Sequence, residues 1–155
     1  MNKDLEIKMQ IIETINRMTF YADRRDFENL SKCYGAIITH YDASGKANVQ
    51  TNDELISGAK GILPGYDVLF HLCTNHFVDI RSDTRAEVTF NIYCVHAIGD
   101  EKMINLSYSV NTMEKVDNRW VITATKGELL KQIGNSKLGE KAREIVKGMK
   151  GRING

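Results

Sequence analysis

The sequence predicts an α+β domain, a curved antiparallel sheet closed on its concave side by N-terminal helices. Three observations carry this. Apolar residues recur at helical spacing over residues 4–22, the chain alternates in strand fashion almost without a break from Val68, and tight-turn residues divide that alternation. At 155 residues the chain has room for one domain with a true core. We assign it to 1–135, leaving 136–155 as a basic C-terminal helix or tail.

In the first helix Leu5, Met9, Ile12, Ile15 and Thr19 are expected to form the buried stripe. A 100° step per residue brings Asp23 back onto that stripe, while Arg24 and Arg25 turn away. A carboxylate on an apolar stripe is unusual. Asp26 reads as the N-cap of a second short helix, Phe27 to Tyr34. Ala36 to Tyr41 and Asn48 to Gln50 form a hairpin around Asp42-Ala43-Ser44-Gly45, and Thr51 to Glu54 has the spacing of a capping box opening a third helix.

The segment Phe70 to Ile80 is the centre of interest. Strand parity puts Phe70, Leu72, Thr74, His76, Val78 and Ile80 on one face and His71, Cys73, Asn75, Phe77 and Asp79 on the other. This places His76 on an apolar face, where an unpaired imidazole nitrogen costs roughly 1–3 kcal/mol, and leaves His71 a structural role. Strands follow over Arg85 to Ile98, Met103 to Val116 and Arg119 to Lys126. Phe90 and His96 lie on the apolar face of the first of these, and Tyr108 shares a face of the second with Ile104, Leu106 and Val110. Beyond Gly127 a short helix through Leu129, Leu130 and Ile133 is expected. The tail should form a weakly amphipathic helix with a frayed end over 151–155.

Composition removes several function classes. With 42% hydrophobic and 26% charged residues and a net charge of +1, the chain has no electrostatic footprint for nucleic acid or a membrane surface. It contains neither a membrane-length apolar run nor a secretory leader, so a cytoplasmic location is expected. Cys33, Cys73 and Cys94 are scattered and unpaired in sequence, and no metal-ligand spacing involves His71 or His76. Phosphate-loop and nucleophile motifs are absent as well.

The segments Tyr21-Ala22-Asp23-Arg24-Arg25-Asp26-Phe27-Glu28-Asn29-Leu30 and His71-Leu72-Cys73-Thr74-Asn75-His76-Phe77-Val78-Asp79-Ile80, with Trp120-Val121-Ile122 late in the chain, resemble the SnoaL-like branch of the nuclear transport factor 2 (NTF2)-like superfamily. Within it they look most like dehydratases of the scytalone and bile acid 7α types. The resemblance implies a cone-shaped α+β barrel with a deep apolar pocket, and a homodimer or homotrimer. Asp23 and His76 match the family's catalytic aspartate and histidine, and Tyr41 falls where a tyrosine holds water on the substrate carbonyl. Two positions depart from the pattern: Ala22 replaces the tyrosine before the aspartate, and a second catalytic histidine is matched only by His96 nearby.

The resulting expectation is a cofactor-independent lyase acting on a small apolar hydroxylated carbonyl compound. Asp23, His76 and Tyr41 would be catalytic, and Phe70, Leu72, Phe90, His96 and Tyr108 would line the pocket. Related alternatives are a ketosteroid-isomerase-like isomerase and a polyketide-cyclase-like enzyme. A different class is a non-catalytic small-molecule-binding or protein-interaction module, in which His76 is a core residue.

Overall fold

The computed structural model describes residues 2–153. Its elements run α1 (Lys3–Arg24), α2 (Phe27–Lys32), β1 (Tyr34–Tyr41), β2 (Ala47–Thr51), α3 (Asn52–Lys60), a short 3-10 turn (Leu63–Gly65), β3 (Val68–Ser82), β4 (Arg85–Ile98), β5 (Glu101–Val116), β6 (Arg119–Gly134) and α4 (Leu138–Ile153). Local signals set the boundaries. Asn2 caps α1, Asp26 caps α2 through the amide of Asn29, and Thr51 and Glu54 form a complete capping box on α3.

The six strands lie in the order β2-β1-β6-β5-β4-β3, with β2 and β3 as free edges. The ladders are antiparallel apart from β1–β6, which is parallel, so the sheet is mixed rather than wholly antiparallel. Helix α1 packs along β3 and buries Ile7, Ile11, Ile15 and Thr19. That stripe corrects the expected one, because Leu5 and Met9 are exposed. Residues four apart stack on one helix face, and the series 7, 11, 15, 19 leads directly to Asp23.

Strand β6 also departs from expectation. The residues expected as a helix, Leu129, Leu130 and Ile133, continue the strand to Gly134, which adopts φ +93° beside the carbonyl of Lys102. Pairing with β5 supplies the backbone partners that so short a helix signal could not outweigh.

Two apolar clusters fill the interior. One joins Ile7, Ile11 and Ile15 of α1 to Val88, Phe90, Met113, Trp120 and Ile122 of the sheet. The other joins Tyr66, Leu69, Cys94, Ile98 and Met103 to Leu138 and Ala142 of α4. The tail is therefore a helix with a buried face, and Gly65 meets it so closely that an added Cβ would lie 2.1 Å from the Ala142 carbonyl oxygen. The helix runs through Ile153. Asn154 and Gly155 of the expected frayed end lie outside the described residues.

Candidate active site

Strand β3 is an edge, and His71 stands opposite Cys94 with its N–H turned away from β4. An edge N–H needs an acceptor from elsewhere. The carboxylate of Asp23 supplies one: Oδ2 accepts the His71 backbone N–H at 2.9 Å, and Oδ1 lies 2.6 Å from His71 Nδ1. Asp23 is therefore engaged by both a backbone and a ring nitrogen of one residue. The two side chains are largely buried, at 10% and 21% exposure respectively. With Nδ1–H donating to the carboxylate, Nε2 carries the ring's lone pair. No described residue hydrogen-bonds Nε2, which leaves its lone pair unpaired.

This overturns the expected pairing of Asp23 with His76. The cause is a β-bulge. Asn75 takes φ 56°, and the register with β4 slips between Thr74 and Phe77, so that Asn75 and His76 together oppose Phe90. Parity inverts across the bulge. Leu69, His71 and Cys73 face inward before it, and His76, Val78 and Ile80 face inward after it. His76 stacks on the Phe90 ring at 5.7 Å, and its Nε2 is buried without a partner. Burial lowers its pKa below 6.5.

The same inversion relocates other expected site residues. Phe70 and Leu72 are about half exposed on the outer face of the sheet, away from Asp23. Tyr108 is also outward, its hydroxyl donating to Glu128 Oε2, because the buried side of β5 is Met103, Ser109, Asn111 and Met113 rather than the more apolar one. Tyr41 is 41% exposed at the end of β1 and makes no hydrogen bond to the dyad. Phe90 does face inward but is wholly enclosed in the core.

His96 is where parity put it. Its ring lies 6.3 Å from that of His71 and 4.9 Å from that of Tyr66. His96 Nδ1 donates to the Met103 carbonyl at 3.3 Å, and the Cys94 thiol lies 3.4 Å from Nε2. Burial, the largest influence, holds this histidine neutral by lowering its pKa. Burial also pushes the thiols of Cys73 and Cys94 up to about 11 and about 12, so neither is a nucleophile in this state.

One residue outside the expected set holds the dyad's mount. Arg25, in the left-handed conformation at the end of α1, donates to the carbonyls of Asp23 at 2.5 Å, Leu63 at 3.3 Å and Tyr66 at 2.7 Å. It ties the helix end to the loop that carries Tyr66. No group of three or more His, Cys, Asp or Glu with metal-binding geometry occurs among the described residues. None of the helices described is long and apolar enough to cross a membrane.

A family model described as a SnoaL-like domain matches residues 3–126. The chain belongs to the SnoaL-like family. Its helices and unclosed sheet are the NTF2-like α+β cone. A scytalone dehydratase-like protein of Novosphingobium aromaticivorans superposes with a TM-score of 0.74 at 16% identity, covering 86% of this chain and 91% of that one. A hexachlorocyclohexane dehydrochlorinase, LinA type 2, gives 0.75 at 14% identity, covering 86% and 92%. Kfla4162 of Kribbella flavida gives 0.75 at 17% identity, covering 92% and 99%. At these identities the likeness is one of fold. No curated protein sequence matches the chain.

Proposed function

We propose that this SnoaL-like protein is a cofactor-independent lyase of the dehydratase type, with His71 as the proton-transferring group and Asp23 as its orienting partner. The observation that carries the reading is the doubly bonded carboxylate with His71 Nε2 left unpaired. A carboxylate on Nδ1 fixes the tautomer and stabilises the imidazolium formed when Nε2 takes a proton. On an apolar hydroxylated carbonyl compound, Nε2 removes the proton next to the carbonyl and leaves an enolate. The enolate re-forms the carbonyl as the carbon–oxygen bond to the neighbouring hydroxyl breaks, and the imidazolium proton leaves with that oxygen as water. Return of the proton to another carbon of the same enolate would give an isomerase, and its attack on a second carbonyl a cyclase. The His96 ring lies 6.3 Å from that of His71, and burial favours its neutral form.

The outer sheet face supports self-association. Leu72, Tyr93 and Leu106 lie in one row across three strands and border a shallow cavity of about 200 Å3 with Leu130, and Phe70 and Leu129 are also exposed. A contiguous apolar area of this kind is unusual on a free monomer, and a homodimer or homotrimer would cover it. A cytoplasmic location is part of the same proposal.

A panel of β-hydroxy ketones incubated with the protein in deuterated water tests the chemistry. Loss of water or deuterium uptake next to the carbonyl, abolished in His71→Ala and retained in His76→Phe, is the expected result. Exchange that survives His71→Ala overturns the assignment. A ligand bound but never altered by the wild-type protein would favour a carrier.

A further inference from the structure

A cavity of about 350 Å3 lies remote from the dyad. It lies between α1, α2 and the β5–β6 turn, and neither Asp23 nor His71 borders it. Its volume is in the range of small-molecule sites. Three cations line it, Arg17, Lys32 and Arg119, against the single carboxylate of Glu13. Glu13 engages the Arg17 guanidinium at 2.9 and 2.5 Å, and Lys32 reaches Glu28 and Asn29 at 3.1 and 3.2 Å. Arg119 has no ion-pair or side-chain hydrogen-bond partner among the described residues. This leaves the cleft with excess positive charge and one guanidinium fork uncommitted.

The walls add what a bare basic patch lacks. Tyr21 and the largely buried Trp120 border the cleft, and Tyr21 gives a planar body aromatic surface beside the cations. Trp120 is 4% exposed, and its indole Nε1 is a buried donor with no partner. The position of Arg119 is built by the fold: Asp117 and Asn118 both take positive φ, 48° and 61°, in the tight turn that projects the next residue over α1 and α2. Guanidinium groups bind phosphate and carboxylate through parallel N–H donors, which fits an oxyanion better than a neutral ligand.

We infer that the α1–α2–Trp120 cleft is a second binding site, for a small organic molecule bearing a phosphate or carboxylate group, held by Arg119 with Lys32 and Arg17. The site is separate from the dyad and stands whether or not the protein is a lyase.

Trp120 is the only tryptophan of the chain and borders this cleft, so its emission can report binding there. Full-length protein is titrated with inorganic phosphate, phenyl phosphate, benzoate and uncharged benzyl alcohol, following tryptophan fluorescence and, in parallel, calorimetry. The expected result is saturable binding of phenyl phosphate or benzoate, weakened by added salt and absent with benzyl alcohol. Stronger binding of phenyl phosphate assigns the phosphate class, and stronger binding of benzoate the carboxylate class. Arg119→Gln, an exposed substitution that leaves the core alone, weakens it roughly five- to tenfold. Lys3→Gln, which removes the same charge at the far end of α1, and His71→Ala leave it unchanged. No saturable response to either anion, or equal affinity in Arg119→Gln, overturns the site.

Discussion

Asp23 holds His71 at two points of one residue, the ring Nδ1 at 2.6 Å and the backbone N–H at 2.9 Å, across 48 positions of sequence. The second bond ties the ring's mounting point to the same carboxylate that orients the ring. His71→Ala and Asp23→Asn are therefore both expected to lower turnover by about 10²–10⁴-fold, the scale of a positioned proton-transfer group. Their effects should be far from additive in the double variant, which a double-mutant cycle on kcat/KM would show.

His76 has the opposite outlook. Its Nε2 is buried and unpaired on the face of Phe90, so His76→Phe removes an uncompensated polar atom and keeps the ring contact. A gain of about 1 kcal/mol in chemical-denaturation stability is expected, with activity retained. A loss of stability would mean that the nitrogen has an acceptor or donor that the fold hides.

Acid should weaken the fold in a defined window. Burial lowers the folded pKa values of His40, His76 and His96 below 6.5. As pH falls through about 6.5 the unfolded chain takes up protons that the folded chain refuses, so stability declines from there down to the folded values and is level above. Thermal unfolding at about pH 5.5 and about pH 7.5 should show the drop, and His76→Phe should make it shallower.

The bulge at Asn75 is what lets His71 and His76 both face inward, and its φ of 56° suits Asn or Gly. Asn75→Gly should be close to neutral, whereas Asn75→Val should cost about 1–2 kcal/mol. Denaturant midpoints compared at constant m value would separate the two.

On the outer face, Leu72→Asp should lower the oligomeric state measured by light scattering without unfolding the protomer, because Leu72 is half exposed. An unchanged mass would place any subunit contact elsewhere.

Where the chain's chemistry is local, the sequence was sufficient. Asp26 and Thr51 announce their helices through caps, and β4 shows its inward set from Ala86 to His96 by simple alternation. Helical spacing already places Asp23 on the buried stripe, although that stripe runs through Ile7 and Ile11 rather than Leu5 and Met9. Simple parity does not single out the dyad's histidine, because one inserted residue puts the strand before the bulge in the opposite phase to the strand after it. The trace of that insertion was present: Asn75 is a poor strand former that tolerates the left-handed region, and the apolar series Leu69, Cys73 resumes out of phase at Val78, Ile80. Strand β5 misled for another reason. Its more apolar side faces out, and Ser109 and Asn111 satisfy each other inside at 2.7 Å, which no rule of apolar burial foresees. Leu129 to Ile133 carry no long-range signal of the β5 partner that makes them strand.

The bond from the His71 amide to Asp23 also has a bearing on solubility. Exposed strand edges invite further chains to add by backbone pairing, and β3 is a long edge with Phe70, Leu72 and Phe77 exposed along it. A carboxylate fixed on the edge N–H blocks further pairing near the start of β3, with α1 packed against the strand as a shield. The residue that aims the histidine is in this sense also a guard against amyloid-like stacking.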